Sequence, residues 1–110
     1  MENELIKYIR NNNVEEFKKK TLNNNEINYW KYNNRMLRFT VFNNNIEIMN
    51  ILIKKNINLH IDNDILIEWC EENKYNKIYE IIKNKEPIYY LKKTKKKNIY
   101  VNFLLYILLK

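Results

Sequence analysis

The sequence predicts an all-α protein, a short array of helix-turn-helix repeats with an additional C-terminal helix. Three observations carry that expectation. Apolar residues recur three and four positions apart, the sets recur at offsets of 32 and then 29 residues, and asparagine clusters fall between them in register. A chain of 110 residues has room for one domain and buries a modest share of its surface, so stacked repeats or a partner would help to stabilise it.

Leu5, Leu37 and Leu66 occupy one column and Ile9, Val41 and Cys70 the next. Val14, Ile46 and Tyr75 open a second apolar set, which Phe17, Met49 and Ile78 continue. Within a unit, residues such as Ile46, Met49, Leu52 and Ile53 share one face of a helix, because spacings of three and four return to the same side. A unit of this kind cannot cover its apolar face alone. Three repeats are expected at about 3–33, 34–63 and 64–85, making an array over 1–85, followed by a basic linker and apolar helix over 86–110.

The breaks are asparagine-rich: 11–13, 23–25, 43–45, and Asn56 with Asn58. Helix ends commonly need one left-handed residue, usually glycine, and this chain has none. Asparagine tolerates that conformation best among the others, because its short amide bonds the local backbone. The competing reading, a disordered low-complexity tract, does not account for the register of the triplets with the apolar columns.

The unit at 36–59 resembles an ankyrin repeat. Leu37, Thr40 and Asn43 to Asn45 stand at its leucine, small residue and glycine turn; Ile46-Glu47-Ile48-Met49 stands at its second-helix start, and Asn56-Ile57-Asn58-Leu59 at its exit. Over roughly residues 3–85 the chain is similar to the degenerate ankyrin repeats of large DNA viruses and intracellular parasites with AT-rich genomes. It departs from them in lacking the threonine-proline-leucine-histidine start and in placing Thr40, Trp69 or Tyr8 where a small alanine is usual. The resemblance implies a non-catalytic binding function. It also places Tyr29, Trp30 and Tyr32 in the connecting finger through which such proteins reach partners, with Arg35 and Arg38 on the same side. These five are the candidate protein-binding residues, the aromatic ones as anchors or as covers for the helix ends beneath.

Pro87 has no amide hydrogen to donate, so the helical pattern is expected to stop there, with 88–91 extended. Lys92, Lys93, Lys95, Lys96 and Lys97 follow, then a nearly apolar run at 99–109 expected to be a helix that caps the array or inserts into a partner. That run is too short to cross a bilayer, which takes about 20 residues. The formal charge of +7 is uneven: residues 1–85 carry 14 Lys and Arg against 12 Asp and Glu, a net of +2, while 86–110 carry six Lys against Glu86, a net of +5. Codon bias explains part of the lysine excess, since the chain holds 22 Asn, 17 Ile and 17 Lys but no Gly, Ala, Ser or Gln. Localised charge is the stronger sign of an anionic partner, because neighbouring fields add. The five lysines are therefore the candidate nucleic-acid contacts.

Catalytic groups are few. Without glycine there is no phosphate loop, and the chain has one histidine and one cysteine. His60 lacks a second histidine at ligand spacing and is expected on the surface, while Asp62-Asn63-Asp64 lacks the rest of a calcium loop and Asp64 is expected to cap a helix. The adjacent acids Glu15-Glu16 and Glu71-Glu72 point apart on a helix and read as solvated charge. Trp69 and Cys70 are expected in the core. No enzyme activity, cofactor, metal or small-molecule substrate is expected, nor a membrane-surface contact by the C-terminal segment.

A lone cysteine and the absence of a secretory-type opening segment suggest an intracellular, cytoplasmic protein. The expected function is that of an ankyrin-like module docked in a large assembly, the repeat surface meeting protein and the lysines meeting RNA phosphate, ribosomal RNA foremost. The alternative is a pure protein-protein adaptor, such as a pathogen factor engaging a host protein.

Overall fold

The computed structural model describes residues 2–22, 27–55, 57–94 and 107–109. Seven helices are found among them and no strand: α1 (Glu2–Arg10), α2 (Val14–Leu22), α3 (Tyr29–Phe42), α4 (Ile46–Leu52), α5 (Ile65–Asn73), α6 (Asn76–Lys85) and α7 (Pro87–Thr94). None is long and apolar enough to cross a membrane.

The first six form three pairs, α1 with α2, α3 with α4 and α5 with α6. Between pairs, α3 touches both α1 and α5, and α4 touches both α2 and α6. First helices therefore line up with first helices and second with second, a helical-repeat-like all-α fold. The core runs through all three pairs: Leu5, Ile9, Phe17, Met36, Leu37, Val41, Ile48, Met49, Leu52, Leu66, Ile78 and Ile82 are fully buried. Each such side chain contributes about 1.5–3 kcal/mol of burial free energy.

The asparagine turns explain themselves residue by residue. Asn12 (φ 55°) and Asn44 (φ 49°) take the left-handed position that ends α1 and α3. The next residue then closes the turn, the Asn13 amide donating to the Tyr8 carbonyl at 2.7 Å and that of Asn45 to Thr40 at 3.0 Å. The Asn45 side chain also caps α4, accepting from the Ile48 amide at 2.9 Å. Across the pairs, the Asn43 side-chain Nδ2 donates to the Ile9 carbonyl at 2.8 Å and the Asn45 side-chain Nδ2 to Asn12 Oδ1 at 2.9 Å. The tracts at 11–13 and 43–45 are thus ordered turns stitched together, while 23–25 lies outside the described residues.

The third turn corrects the sequence register. There the left-handed residue is Lys74 (φ 59°), and the Tyr75 amide donates to the Cys70 carbonyl at 2.9 Å. By these bonds Tyr8, Thr40 and Cys70 are equivalent, so the second offset is 30 rather than 29, and Cys70 takes the place of Thr40 rather than of Val41. Two small side chains, Thr40 and Cys70, consequently sit fully buried where α3 and α5 meet their neighbours.

The expectation that 88–91 is extended is also overturned. Helix α6 does end before Pro87, with Glu86 out of helical geometry (φ −140°), but Pro87 then opens α7, since the first helical residue needs no amide donor and its fixed φ suits the turn. Of the apolar run at 99–109, only 107–109 is described; Ile107, Leu108 and Leu109 are exposed.

Candidate functional site

The finger position is corrected by the helix that occupies it. Asn28 caps α3 by accepting from the Lys31 amide at 3.0 Å, so Tyr29, Trp30 and Tyr32 lie in a first helical turn and not in a loop. Tyr29 is buried, 8 % exposed, and burial raises its pKa. Its hydroxyl finds no hydrogen-bond partner among the described residues. Tyr32 is half-buried against the core, with the Lys31 ammonium 5.3 Å from its ring centre. Arg35 is exposed. Arg38 is tied down on three sides: it pairs with Asp62, donates to Asn34 at 2.6 Å and lies 5.4 Å from the Trp69 ring centre.

What α3 and α5 do present is an aromatic step. Phe42 is 64 % exposed and meets Trp69 at 4.9 Å between ring centres, tilted by 43°. Trp69 is half-buried against the core, contacted by Phe42 and by the Arg38 guanidinium, so the Phe42 ring is the outermost member. Val41, Phe42, Trp69, Glu72, Asn73 and Tyr75 line a cleft of about 210 Å³ there. The sequence carried a signal for Phe42, which stands directly after the core residue Val41 and so falls off the buried face.

On the other side of α3, Ile6, Lys7, Arg10, Asn11 and Arg35 line a cleft of about 440 Å³. Arg10 also lies 5.5 Å from the Phe39 ring centre.

A third cluster surrounds His60, which is half-buried and bonded rather than simply placed on the surface. Its Nδ1 lies 2.6 Å from Asp64 Oδ1 and its Nε2 2.7 Å from Glu86 Oε2. The Tyr89 hydroxyl donates to Asp64 Oδ2 at 2.5 Å, and its ring packs 4.2 Å from the imidazole. Asp62, Asn63 and Asp64 all have positive φ (45°, 58° and 63°), a backbone strain of roughly 1–2 kcal/mol per residue that the Arg38–Asp62 pair helps to hold. Asp64 stands at the start of α5 without capping it through its side chain, contrary to expectation, because the left-handed backbone directs the carboxylate to His60 and Tyr89.

Chemically the cluster binds the fold together. Both imidazole nitrogens face carboxylate oxygens, which leaves neither open to a substrate. The hydrogen bond to Asp64, then burial and the charges of Asp64 and Glu86, push the Tyr89 hydroxyl up to about 12. Burial first, then the same carboxylates, raises that of Tyr90. Burial and the Glu71 charge push the Cys70 thiol up to about 12, far from a reactive thiolate. Among the described residues no group of three or more His, Cys, Asp or Glu is arranged to hold a metal ion.

The candidate lysines divide. Lys92 is exposed on α7 and Lys93 belongs to the same last turn, whereas Lys95, Lys96 and Lys97 lie outside the described residues. Comparison with family models, with curated proteins and with solved structures finds no match for this chain.

Proposed function

We propose that the chain is a non-catalytic, ankyrin-like binding module that docks in a larger intracellular, cytoplasmic assembly. Protein meets the aromatic step of α3 and α5, and RNA phosphate meets the lysine segment at 92–97, with ribosomal RNA as its source. The observation that carries the reading is the Phe42 ring, held 64 % exposed on a rigid two-helix platform by Trp69. Large aromatic side chains on rigid elements are the usual anchors of protein interfaces, and truncating one costs about 2 kcal/mol or more of binding. The lysine part rests on the charge of +5 over 86–110.

The adaptor reading draws on a different observation. His60, Asp64, Glu86 and Tyr89 fasten α7 to the third helix pair, which suits a C-terminal segment whose work is to close the array. Native purification of the wild type, of Phe42→Asp, and of a variant with Lys92, Lys93, Lys95, Lys96 and Lys97 all changed to glutamine separates the two. Loss of a protein partner from the first variant and of RNA from the second supports the assembly reading. Protein retained by the lysine variant, with no RNA in any sample, supports the adaptor.

A further inference from the structure

We propose that the cleft between α1 and α3, lined by Lys7, Arg10 and Arg35, is a second phosphate-binding surface that takes the backbone of single-stranded RNA. The inference rests on the reading that the chain docks on RNA and extends it to a surface far from the lysine segment in sequence.

Several cations of this molecule are paired with carboxylates, and the cleft gathers three that are not among the described residues. On α2 the lysines are matched: Lys18 lies 3.4 Å from Glu47, Lys19 3.5 Å from Glu16 and Lys20 3.5 Å from Glu4. Arg38 is matched by Asp62. Lys7, Arg10 and Arg35, by contrast, converge on one cleft with no carboxylate at ion-pair distance among the described residues. Like charges gathered on one cleft repel, and an anion placed between them relieves the repulsion.

Helix electrostatics accounts for only part of the arrangement. Lys7 and Arg10 stand in the last turn of α1, where the exposed carbonyls favour cations. Arg35 lies in the middle of α3 and has no such reason to be there. A guanidinium from each of two helices also gives the planar donors that suit phosphate oxygens.

The lining distinguishes RNA from an acidic protein segment. A peptide cleft needs an apolar anchor point, and among the described residues the one apolar side chain lining this cleft, Ile6, is 3 % exposed. Lys7, Arg10, Asn11 and Arg35 offer donors and charge, the groups that contact a sugar-phosphate backbone.

The test measures binding of a labelled, mixed-sequence single-stranded RNA to the full chain across a series of salt concentrations. Each lost phosphate contact flattens the slope of log affinity against log salt by about 0.7, so changing Lys7, Arg10 and Arg35 together to glutamine should flatten it by about 2. An Arg10→Lys, Arg35→Lys variant keeps the charge and should keep the slope, and circular dichroism confirms that each variant is folded. If only the five-lysine variant at 92–97 flattens the slope, the cleft inference is overturned and the lysine reading stands. If only the cleft variant does, the inference stands and the lysine reading falls. If the wild type binds no RNA, both fall. Binding of poly-glutamate as tight as that of RNA, and equally sensitive to the cleft variant, overturns the inference in favour of an acidic protein partner.

Discussion

His60 Nε2 lies 2.7 Å from Glu86 Oε2, so the loop that enters α5 is bonded directly to the residue that precedes α7. Together with the Tyr89 hydroxyl's bond to Asp64, this contact ties the strained turn at 62–64 to α7.

The first prediction follows from this contact. Glu86→Gln should loosen α7, seen as faster amide hydrogen exchange over 87–94 with α1 to α4 unchanged. Both groups are partly exposed, so the expected cost is about 1 kcal/mol. Exchange over 87–94 equal to that of the wild type would show that α7 is held without this contact, by the Tyr89–Asp64 bond and the burial of Tyr90.

Tyr29 supplies the second. As a buried ring whose hydroxyl has no partner among the described residues, it should tolerate Tyr29→Phe with unchanged or slightly higher melting temperature, whereas Tyr29→Ala should cost about 3–5 kcal/mol. Denaturant titration reads both. A partner affinity that drops in Tyr29→Phe with stability untouched would return the residue to the interface.

The third concerns the turns. Lys74 occupies at φ 59° the position that Asn12 and Asn44 fill elsewhere, and its side chain gains nothing from that backbone. Lys74→Gly should therefore stabilise the protein by about 0.5–1 kcal/mol, while Asn44→Val should destabilise it by about 1–2 kcal/mol. Paired thermal melts measure the difference, and a Lys74→Gly variant less stable than the wild type would contradict the turn assignment.

Alkaline pH gives the fourth. The Tyr89 hydroxyl titrates near 10.0 in the unfolded chain and at about 12 in the folded one, so the folded state holds the proton more tightly. The stability it contributes is full below pH 10 and is lost as pH rises from there through about 12. Tyr89→Phe should remove that share of the alkaline loss in urea titrations repeated across the range. An identical alkaline profile in the two proteins would mean that Tyr89 ionises without opposition from Asp64.

Much of the helical plan was legible because burial follows periodicity. Leu5, Leu37, Leu66, Phe17, Met49 and Ile78 all lie in the core their spacing places them in, and Asn12 and Asn44 take the left-handed turns. The register of the third unit was not legible, because Val41 and Cys70 align by hydropathy while the turn hydrogen bonds align Cys70 with Thr40. Pro87 was legible as the stop of α6 but not as the start of α7, since the same missing amide that ends one helix suits the first turn of another. The His60 cluster escaped for a different reason: residues 60 and 86 are 26 apart, and nothing local to either records a contact made by the third pair and α7. Phe42 and Arg35 show the remaining gap, since a sequence reveals that a residue is off the core face but not which neighbours share its cleft.

The central claim, that this helical-repeat-like chain docks by the Phe42–Trp69 step and by its basic segment, is tested most directly by cross-linking the natively purified complex and mapping the linked residues by mass spectrometry. The account predicts protein cross-links on α3 and α5 around Phe42 and Trp69, and RNA cross-links on the lysine segment at 92–97. Protein cross-links confined to α2, α4 and α6, or a chain purified without any partner, would contradict it.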